Sequence, residues 1–177
     1  MTQATQFTPE PLPTLRKPSA EDGARIWELI QACKPLDENS MYCNLIQCHH
    51  FRDTCILAEL KGGVVGWISG YIRPDDPETL FVWQVAVSEK ARGAGVGRLM
   101  LRGLLAREDC AGINRIQTTI TRDNEASWAL FRRFARHTGG RFDSMAYFTQ
   151  SLHFKGQHDS EYMVTIDLQA EAGKRAA

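Results

Sequence analysis

Three familiar signals are missing from this sequence, and each absence excludes a class of protein. The 177 residues include 21 lysines and arginines and 21 aspartates and glutamates, so no net charge attracts nucleic acid or an anionic membrane. No apolar run reaches the ~20 residues that a membrane-spanning helix needs, and the polar, proline-bearing amino-terminal end is unlike a signal peptide. We therefore expect a soluble cytoplasmic protein that binds neither membrane nor nucleic acid.

Paired cysteines are missing as well. The five cysteines are an odd number, and no two of them are spaced as Cys-x-x-Cys; they are Cys33, Cys43, Cys48, Cys55 and Cys110. Such spacing is not typical of a disulfide framework or a zinc site. We expect reduced structural thiols and no metal.

What is present is a regular alternation of strand and helix patterns. Strands are predicted at 14–17, 54–60, 64–72, 80–87, 115–121, 142–152 and 161–168, and Lys61-Gly-Gly63 predicts a hairpin turn. Helices are predicted from Ser19 to Pro35, from about Tyr42, from about Arg98 to between 108 and 112, and from Asp123 or Asn124 to Gly139. The order β-α-α-β-β-β-α-β-α-β-β predicts one mixed α/β (α+β) domain over residues 14–168, with about seven strands and helices on both faces. Residues 1–13 and 169–177 are predicted to be a disordered arm and tail.

A glycine-rich turn follows the strand Leu80–Val87. Gly93, Gly95 and Gly97 can adopt positive φ and let a ligand approach the backbone, and the first N–H groups of the next helix have no helical partner. This arrangement predicts a bound phosphate or pyrophosphate. The spacing matches neither a P-loop, which needs Gly-Lys-Ser/Thr, nor the Gly-x-Gly-x-x-Gly of a dinucleotide fold.

The string Arg92-Gly-Ala-Gly-Val-Gly97 behind a Val-Ala-Val strand end resembles the acetyl-CoA signature of the GCN5-related N-acetyltransferases (GNAT), and Asp123-Asn-Glu-Ala-Ser127 resembles their second cofactor motif. The resemblance implies the GNAT fold and acetyl-CoA as co-substrate. It implies that the amides of 92–97 hold the pyrophosphate and that the pantetheine lies along 84–87. The implied cofactor-binding residues are Val85, Val87, Arg92, Gly93, Gly95, Val96, Gly97, Arg98, Asn124, Ser127 and Phe131.

Three further strings, at 36–44, 81–87 and 158–162, resemble the L-2,4-diaminobutyrate acetyltransferases of ectoine biosynthesis. The resemblance implies acetyl transfer to the γ-amine of diaminobutyrate. Such a zwitterion needs carboxylates for its ammonium groups, donors for its carboxylate and a wall that selects its length. The candidate substrate-binding residues are Asp37, Asn39, Tyr42, Asn44, Trp83, His158 and Glu161, with Glu38 also in the same loop.

The residues alone leave simpler interpretations open at these positions. Strict alternation places Trp83 on one strand face with Phe81, Val85 and Val87, which is typical of a core tryptophan. His158 and Glu161 lie around a turn that is equally typical of a solvated loop. Other small amines, a peptide amino terminus, and a catalytically silent acyl-CoA sensor remain alternative functions.

The predicted mechanism is direct attack of the amine on the thioester, with Asp37, Trp83, Val87 and Glu161 as the catalytic candidates. Asp37 or Glu161 accepts the amine proton, directly or through water, and the Val87 N–H stabilises the oxyanion. Many relatives have a tyrosine acid where this chain has Phe131, so Tyr42, Tyr147 or water remain candidates for that role. The exposed last strands predict a homodimer, and the family resemblance implies the same.

Overall fold

The computed structural model describes residues 12–169, so the predicted arm and tail lie almost wholly outside the described residues. Within that range the strands are β1 (Thr14–Arg16), β2 (Ile56–Leu60), β3 (Gly63–Arg73), β4 (Asp76–Val87), β5 (Arg115–Thr121), β6 (Arg141–Phe148) and β7 (Glu161–Asp167). The α-helices are α1 (Gly23–Ala32), α2 (Met41–His50), α3 (Val96–Leu105) and α4 (Glu125–Thr138).

The strands form one seven-stranded sheet in the order β1-β2-β3-β4-β5-β7-β6. All neighbours are antiparallel except β4 and β5, which are parallel. The predicted element order and mixed sheet are confirmed. Two predicted boundaries were too late: α3 ends at Leu105 before a short 3-10 turn, and β6 ends at Phe148, where Thr149 accepts backbone bonds that turn the chain.

Helices cover both faces of the sheet and create two separate apolar cores. Helices α3 and α4 bury one core, in which Met100, Leu104 and Phe134 pack on Leu80 and Val82. Helices α1 and α2 bury the other, where Ile26, Ile30 and Cys48 pack with Trp67 and Ala86; all five are fully buried. Because each helix presents a single apolar stripe, two layers are needed to cover both sides of the sheet.

A β-bulge in β4 interrupts the predicted alternation. Val82 lies opposite Gly70 and Gln84 lies opposite Ser69, so Trp83 is an extra residue with no partner on β3. Beyond the bulge, Val85 and Val87 pack against the same core as Leu80 and Val82. Phe81 instead contacts Tyr71 on the α1–α2 side. The predicted shared face was therefore wrong, because one inserted residue reverses the side on which later residues lie.

Strands β4 and β5 separate after a short paired stretch. Only Thr79–Phe81 pairs with Arg115–Gln117, although both strands continue. Next to the Gly66–Val87 pair, Ser88 N donates to Val65 O at 2.9 Å, so Gly66 and Val87 face each other without exchanging hydrogen bonds. Antiparallel bonds alternate along a strand, so the Val87 N–H points away from β3 and into the gap toward β5.

Candidate active site

The glycine turn between β4 and α3 has the backbone geometry of an anion site. Gly93 and Gly95 have φ values of 80° and 77°, a region that favours glycine. The helical ladder of α3 begins with Leu99 N donating to Gly95 O at 2.9 Å, so the preceding N–H groups of the first turn are free of helical partners. Gly97 differs from its prediction: it lies inside α3, where a Cβ would approach Leu130 to 3.2 Å, so its small size serves helix packing.

A groove of about 680 Å³ runs from this turn along the end of β4. Its walls include every predicted cofactor residue except Phe131: the turn and α3 residues 92, 93 and 95–98, β4 residues 85 and 87, and α4 residues 124 and 127. Asn124 caps α4 by accepting a hydrogen bond from Ser127 N at 3.1 Å, which fixes both residues at the groove. Cys33 also lines the groove, and its Sγ lies 3.3 Å from the Val87 carbonyl oxygen.

A second cavity of about 510 Å³ lies where β4 and β5 separate. It brings together five of the predicted acceptor residues, namely Asp37, Asn39, Trp83, His158 and Glu161, with Phe131 in the same wall. Trp83 is 49 % exposed, and the bulge turns it into this cavity and away from either core. The cavity and the groove share wall residues Pro35, Leu36, Val85, Asn124 and Ser127, so the two are continuous.

His158 links the two loops that border the acceptor cavity. Its Nδ1 donates to the Asp159 carbonyl oxygen at 2.7 Å, and its Nε2 lies 3.3 Å from Asp37 Oδ2. A carbonyl and a carboxylate only accept hydrogen bonds, so this geometry favours protonated imidazole. The Asp159 carbonyl, followed by Asp37, raises the pKa of His158 above its ordinary value.

Glu161 contributes a half-buried carboxylate to the same cavity. Its Oε2 is fully buried and has no hydrogen-bond partner among residues 12–169. Burial raises the pKa of Glu161 above that of a free glutamate, since a desolvated carboxylate is less stable when charged, while His158 opposes the shift. Glu161 is the first residue of β7 and pairs with Thr121 of β5, which fixes its place at the separated strands.

Two predicted acceptor residues lie away from the cavity. Tyr42 is 71 % exposed on α2, and Asn44 is fully buried, with its Nδ2 donating to Gln47 Oε1 at 3.1 Å. Ser40 caps α2 and starts the helix at Met41, which turns Asn44 toward the protein interior. Neither residue lines the cavity in this chain, so their roles in substrate binding stay predictions.

Gln84, a buried polar residue of β4 in the cavity wall, was not among the predicted acceptor-site residues. Gln84 is 9 % exposed and bonds the loop between α1 and α2 through both ends of its amide. Thr119 of β5 and Gln157 of the β6–β7 loop also line the cavity. The available signal for Gln84 was a glutamine within an apolar strand run. The sequence carries no comparable signal for Thr119 or Gln157.

Comparison with known proteins identifies the fold and the family. The model of the acetyltransferase (GNAT) family matches residues 23–135. The chain belongs to this family. The expected GNAT fold is thereby confirmed, and the matched residues include the glycine turn.

Several similar proteins share one name. The L-2,4-diaminobutyric acid acetyltransferase of Vibrio cholerae is 48 % identical over 155 residues, which is 88 % of this chain and 90 % of that protein. The protein of the same name from Methylotuvimicrobium alcaliphilum is 49 % identical over 156 residues, covering 88 % and 91 %. The diaminobutyrate acetyltransferase EctA of Paenibacillus lautus, solved with L-2,4-diaminobutyric acid and coenzyme A, matches with a TM-score of 0.84 and 38 % identity over 88 % of this chain and 95 % of that one.

Residues 12–169 show neither a membrane-spanning helix nor a cluster of metal ligands. No helix there combines the length and the apolar character that crossing a bilayer requires. In the same stretch, no three histidine, cysteine, aspartate or glutamate side chains cluster closely enough to hold a metal ion.

Proposed function

We propose that this GNAT chain transfers the acetyl group of acetyl-CoA to the γ-amine of L-2,4-diaminobutyrate, giving N4-acetyl-L-2,4-diaminobutyrate for ectoine synthesis. The observation that carries the proposal is the contiguity of the two cavities: the groove at the glycine turn and the cavity that contains the carboxylates share five wall residues. The names of relatives at 48 % and 49 % identity agree with it.

The residues of the groove fit the chemistry of coenzyme A. Left-handed Gly93 and Gly95 expose backbone N–H groups at the positive end of α3, which suits a pyrophosphate. Arg92 and Arg98 add positive charge to the same wall. The wall next to the acceptor cavity, with Val85 and Ser127, suits the pantetheine and the thiol. Acetyl-CoA supplies the activated acetyl group there.

The residues of the acceptor cavity fit a small molecule with two ammonium groups and one carboxylate. Asp37 and Glu161 provide negative charge for the ammonium groups, and protonated His158 adds a positive charge that favours the carboxylate. Trp83 forms a flat wall that limits the length of the acceptor.

Glu161 is the best candidate for accepting the proton of the amine. A primary amine with a pKa near ~10 is mostly ammonium at neutral pH and must lose a proton before it attacks. Burial raises the pKa of Glu161, which makes it a stronger base than an ordinary carboxylate. Asp37 is less suited because its side chain is 82 % exposed. The carboxylate of Glu161 therefore acts directly or through one water.

The chemical step needs no covalent acetyl-enzyme. The neutral amine nitrogen, whose first proton has passed to Glu161, forms a bond to the acetyl carbon. The bond from that carbon to sulfur breaks, and the second proton that the nitrogen releases passes to solvent water. The Val87 N–H, which points into the gap between β4 and β5, donates to the oxygen that becomes negative. Phe131 is 1 % exposed in the cavity wall and offers no proton, so sulfur leaves as a thiolate with a thiol pKa near ~8.5.

The test is release of free thiol from acetyl-CoA with a panel of amines. We expect diaminobutyrate to be the best acceptor by a wide margin, and the product to carry the acetyl group on the γ-nitrogen by NMR. A better rate with a polyamine, an aminoglycoside or a peptide would assign a different acceptor. If none of the amines causes thiol release, the result would support the acyl-CoA sensor.

We further propose a homodimer located in the cytoplasm. Strand β6 pairs only with β7, and it leaves Met145, Tyr147 and Phe148 exposed at the edge of the sheet. An exposed apolar edge strand favours pairing with a second copy. All five cysteines are free, as expected of a reducing compartment. Sedimentation equilibrium tests the dimer, which Met145→Lys would weaken.

A further inference from the structure

Gln84 joins strand β4 to the loop that carries Asp37. Its Nε2 donates to the main-chain oxygen of Asp37 at 2.8 Å, and its Oε1 accepts from Asn39 Nδ2 at 3.1 Å. A main-chain carbonyl only accepts hydrogen bonds, so the first contact fixes the orientation of the amide. Both partners lie on one loop, and Gln84 therefore braces that loop at two points.

The bulge explains why a residue of β4 can reach this loop. Gln84 lies opposite Ser69, immediately after the unpaired Trp83, and its side chain points to the α1–α2 side. Its neighbour Val85 points to the α3–α4 core and lines both cavities. Adjacent residues of one strand therefore fix the acceptor loop and the wall of the cofactor groove.

The carboxylate of Asp37 has few other restraints. Its side chain is 82 % exposed, and its one described side-chain partner is His158 at 3.3 Å. His158 belongs to the separate β6–β7 loop. The main-chain bond from Gln84 is thus the contact that ties Asp37 to the strand where the thioester is expected to lie.

We propose that Gln84 is a positioning residue, which sets the distance between the acceptor's amines and the thioester and thereby the chain length of the diamino acid that reacts. The inference rests on the proposed function, because it assigns Asp37 to the acceptor. Misplacement of a reacting group by about 1 Å can lower a rate by roughly 100-fold. One methylene in a fitted pocket is itself worth about 10- to 200-fold in discrimination.

The experiment compares three diamino acids that differ by single methylenes: 2,3-diaminopropionate, 2,4-diaminobutyrate and ornithine. For each, kcat/KM is measured in the wild type, Gln84→Leu and Asn39→Ala, with the KM for acetyl-CoA and the unfolding temperature alongside. We expect Gln84→Leu to reduce the preference for the favoured acceptor by roughly tenfold to 100-fold, as loss of two hydrogen bonds predicts. The KM for acetyl-CoA stays unchanged.

Gln117→Leu is the matched control. Gln117 is also a strand glutamine with two side-chain partners, since it accepts from Arg73 at 2.7 Å and donates to Thr165 at 3.3 Å. It lines neither cavity. Its loss should lower stability without altering the preference among the three acceptors.

The preference among acceptors decides the proposal. An unchanged preference in Gln84→Leu overturns it, even if total activity falls, because a purely structural role slows all three acceptors alike. Should that variant fail to fold, Asn39→Ala removes one bond of the brace from the other side, and an unchanged preference there overturns the proposal equally. A wild type that prefers another amine refutes the proposed function instead, and the same comparison then uses that amine and its homologues.

Discussion

Replacement of Gly95 by alanine tests whether the left-handed turn before α3 holds the cofactor. Gly95 has a φ of 77°, and the nearest heavy atom to an added Cβ is an Arg98 side-chain nitrogen at 3.8 Å, so alanine fits without a clash. Its cost is conformational: a non-glycine residue in this region is disfavoured by about 1–2 kcal/mol. The turn of Gly95→Ala therefore relaxes, and binding must restore it.

That cost predicts the size of the effect on binding. At about 1.4 kcal/mol per tenfold, the KM for acetyl-CoA should rise about 5- to 30-fold. The KM for diaminobutyrate should stay unchanged, since the acceptor cavity does not include the turn. Steady-state thiol release gives both constants, and calorimetric titration with CoA gives an independent affinity.

The β2–β3 hairpin supplies a matched control. Gly62 has the same φ of 77°, and nothing lies within 4 Å of its added Cβ. Gly62→Ala therefore carries the same backbone strain and the same change in the unfolded chain, but far from the groove. An equal rise in the KM for acetyl-CoA in both variants, or no rise in Gly95→Ala, would refute the assignment of the turn to the cofactor.

Three further predictions follow from other contacts. Glu161→Gln should lower kcat by about 100-fold or more, and the wild-type rate, but not the residual rate of the variant, should fall as pH drops through the raised pKa of Glu161. Phe131→Tyr should change kcat by less than about tenfold, and a many-fold rise with unchanged acetyl-CoA binding would show that a missing acid limits the rate. Asp22→Asn should lower the free energy of unfolding at pH 7 by about 2.5 kcal/mol, because Arg16 lowers the pKa of this buried carboxyl from 3.8 to about 2. A lowered folded-state pKa stabilises the fold above pH 3.8, so in urea unfolding the two proteins should converge as pH falls toward 2.

Local signals explain why so much of the fold was predictable. Strand β5 has its predicted bounds, Arg115–Thr121, because alternating burial leaves a clear pattern of period two. Helix α4 ends at Gly139, whose φ of 65° is the left-handed cap that a glycine predicts. The turn at Gly93 and Gly95 follows from the same property of glycine. In each case the decisive residues are neighbours in the sequence.

The parts of the site that sequence reasoning missed depend on contacts between distant residues. The bulge at Trp83 exists because β3 pairs in two registers on either side of it, which no pattern within β4 reveals. Asn44 lies in the predicted second helix, but which face of α2 is buried depends on its packing against α1, and that packing turns Asn44 inward. The contacts of Gln84 with Asp37 and Asn39 join residues that are far apart in the sequence, so no local pattern predicts them.

The bulge also determines how the two substrates depend on one strand. Because Trp83 is inserted, β4 presents Trp83 and Gln84 to the acceptor cavity while Val87 lines the cofactor groove and Val85 lines both. The glycine turn borders the groove alone, and the β6–β7 loop borders the acceptor cavity alone. Substitutions in the turn should therefore change the KM for acetyl-CoA, and those in the loop the KM for the amine. Substitutions in β4 should change kcat, because this strand sets how the amine meets the thioester.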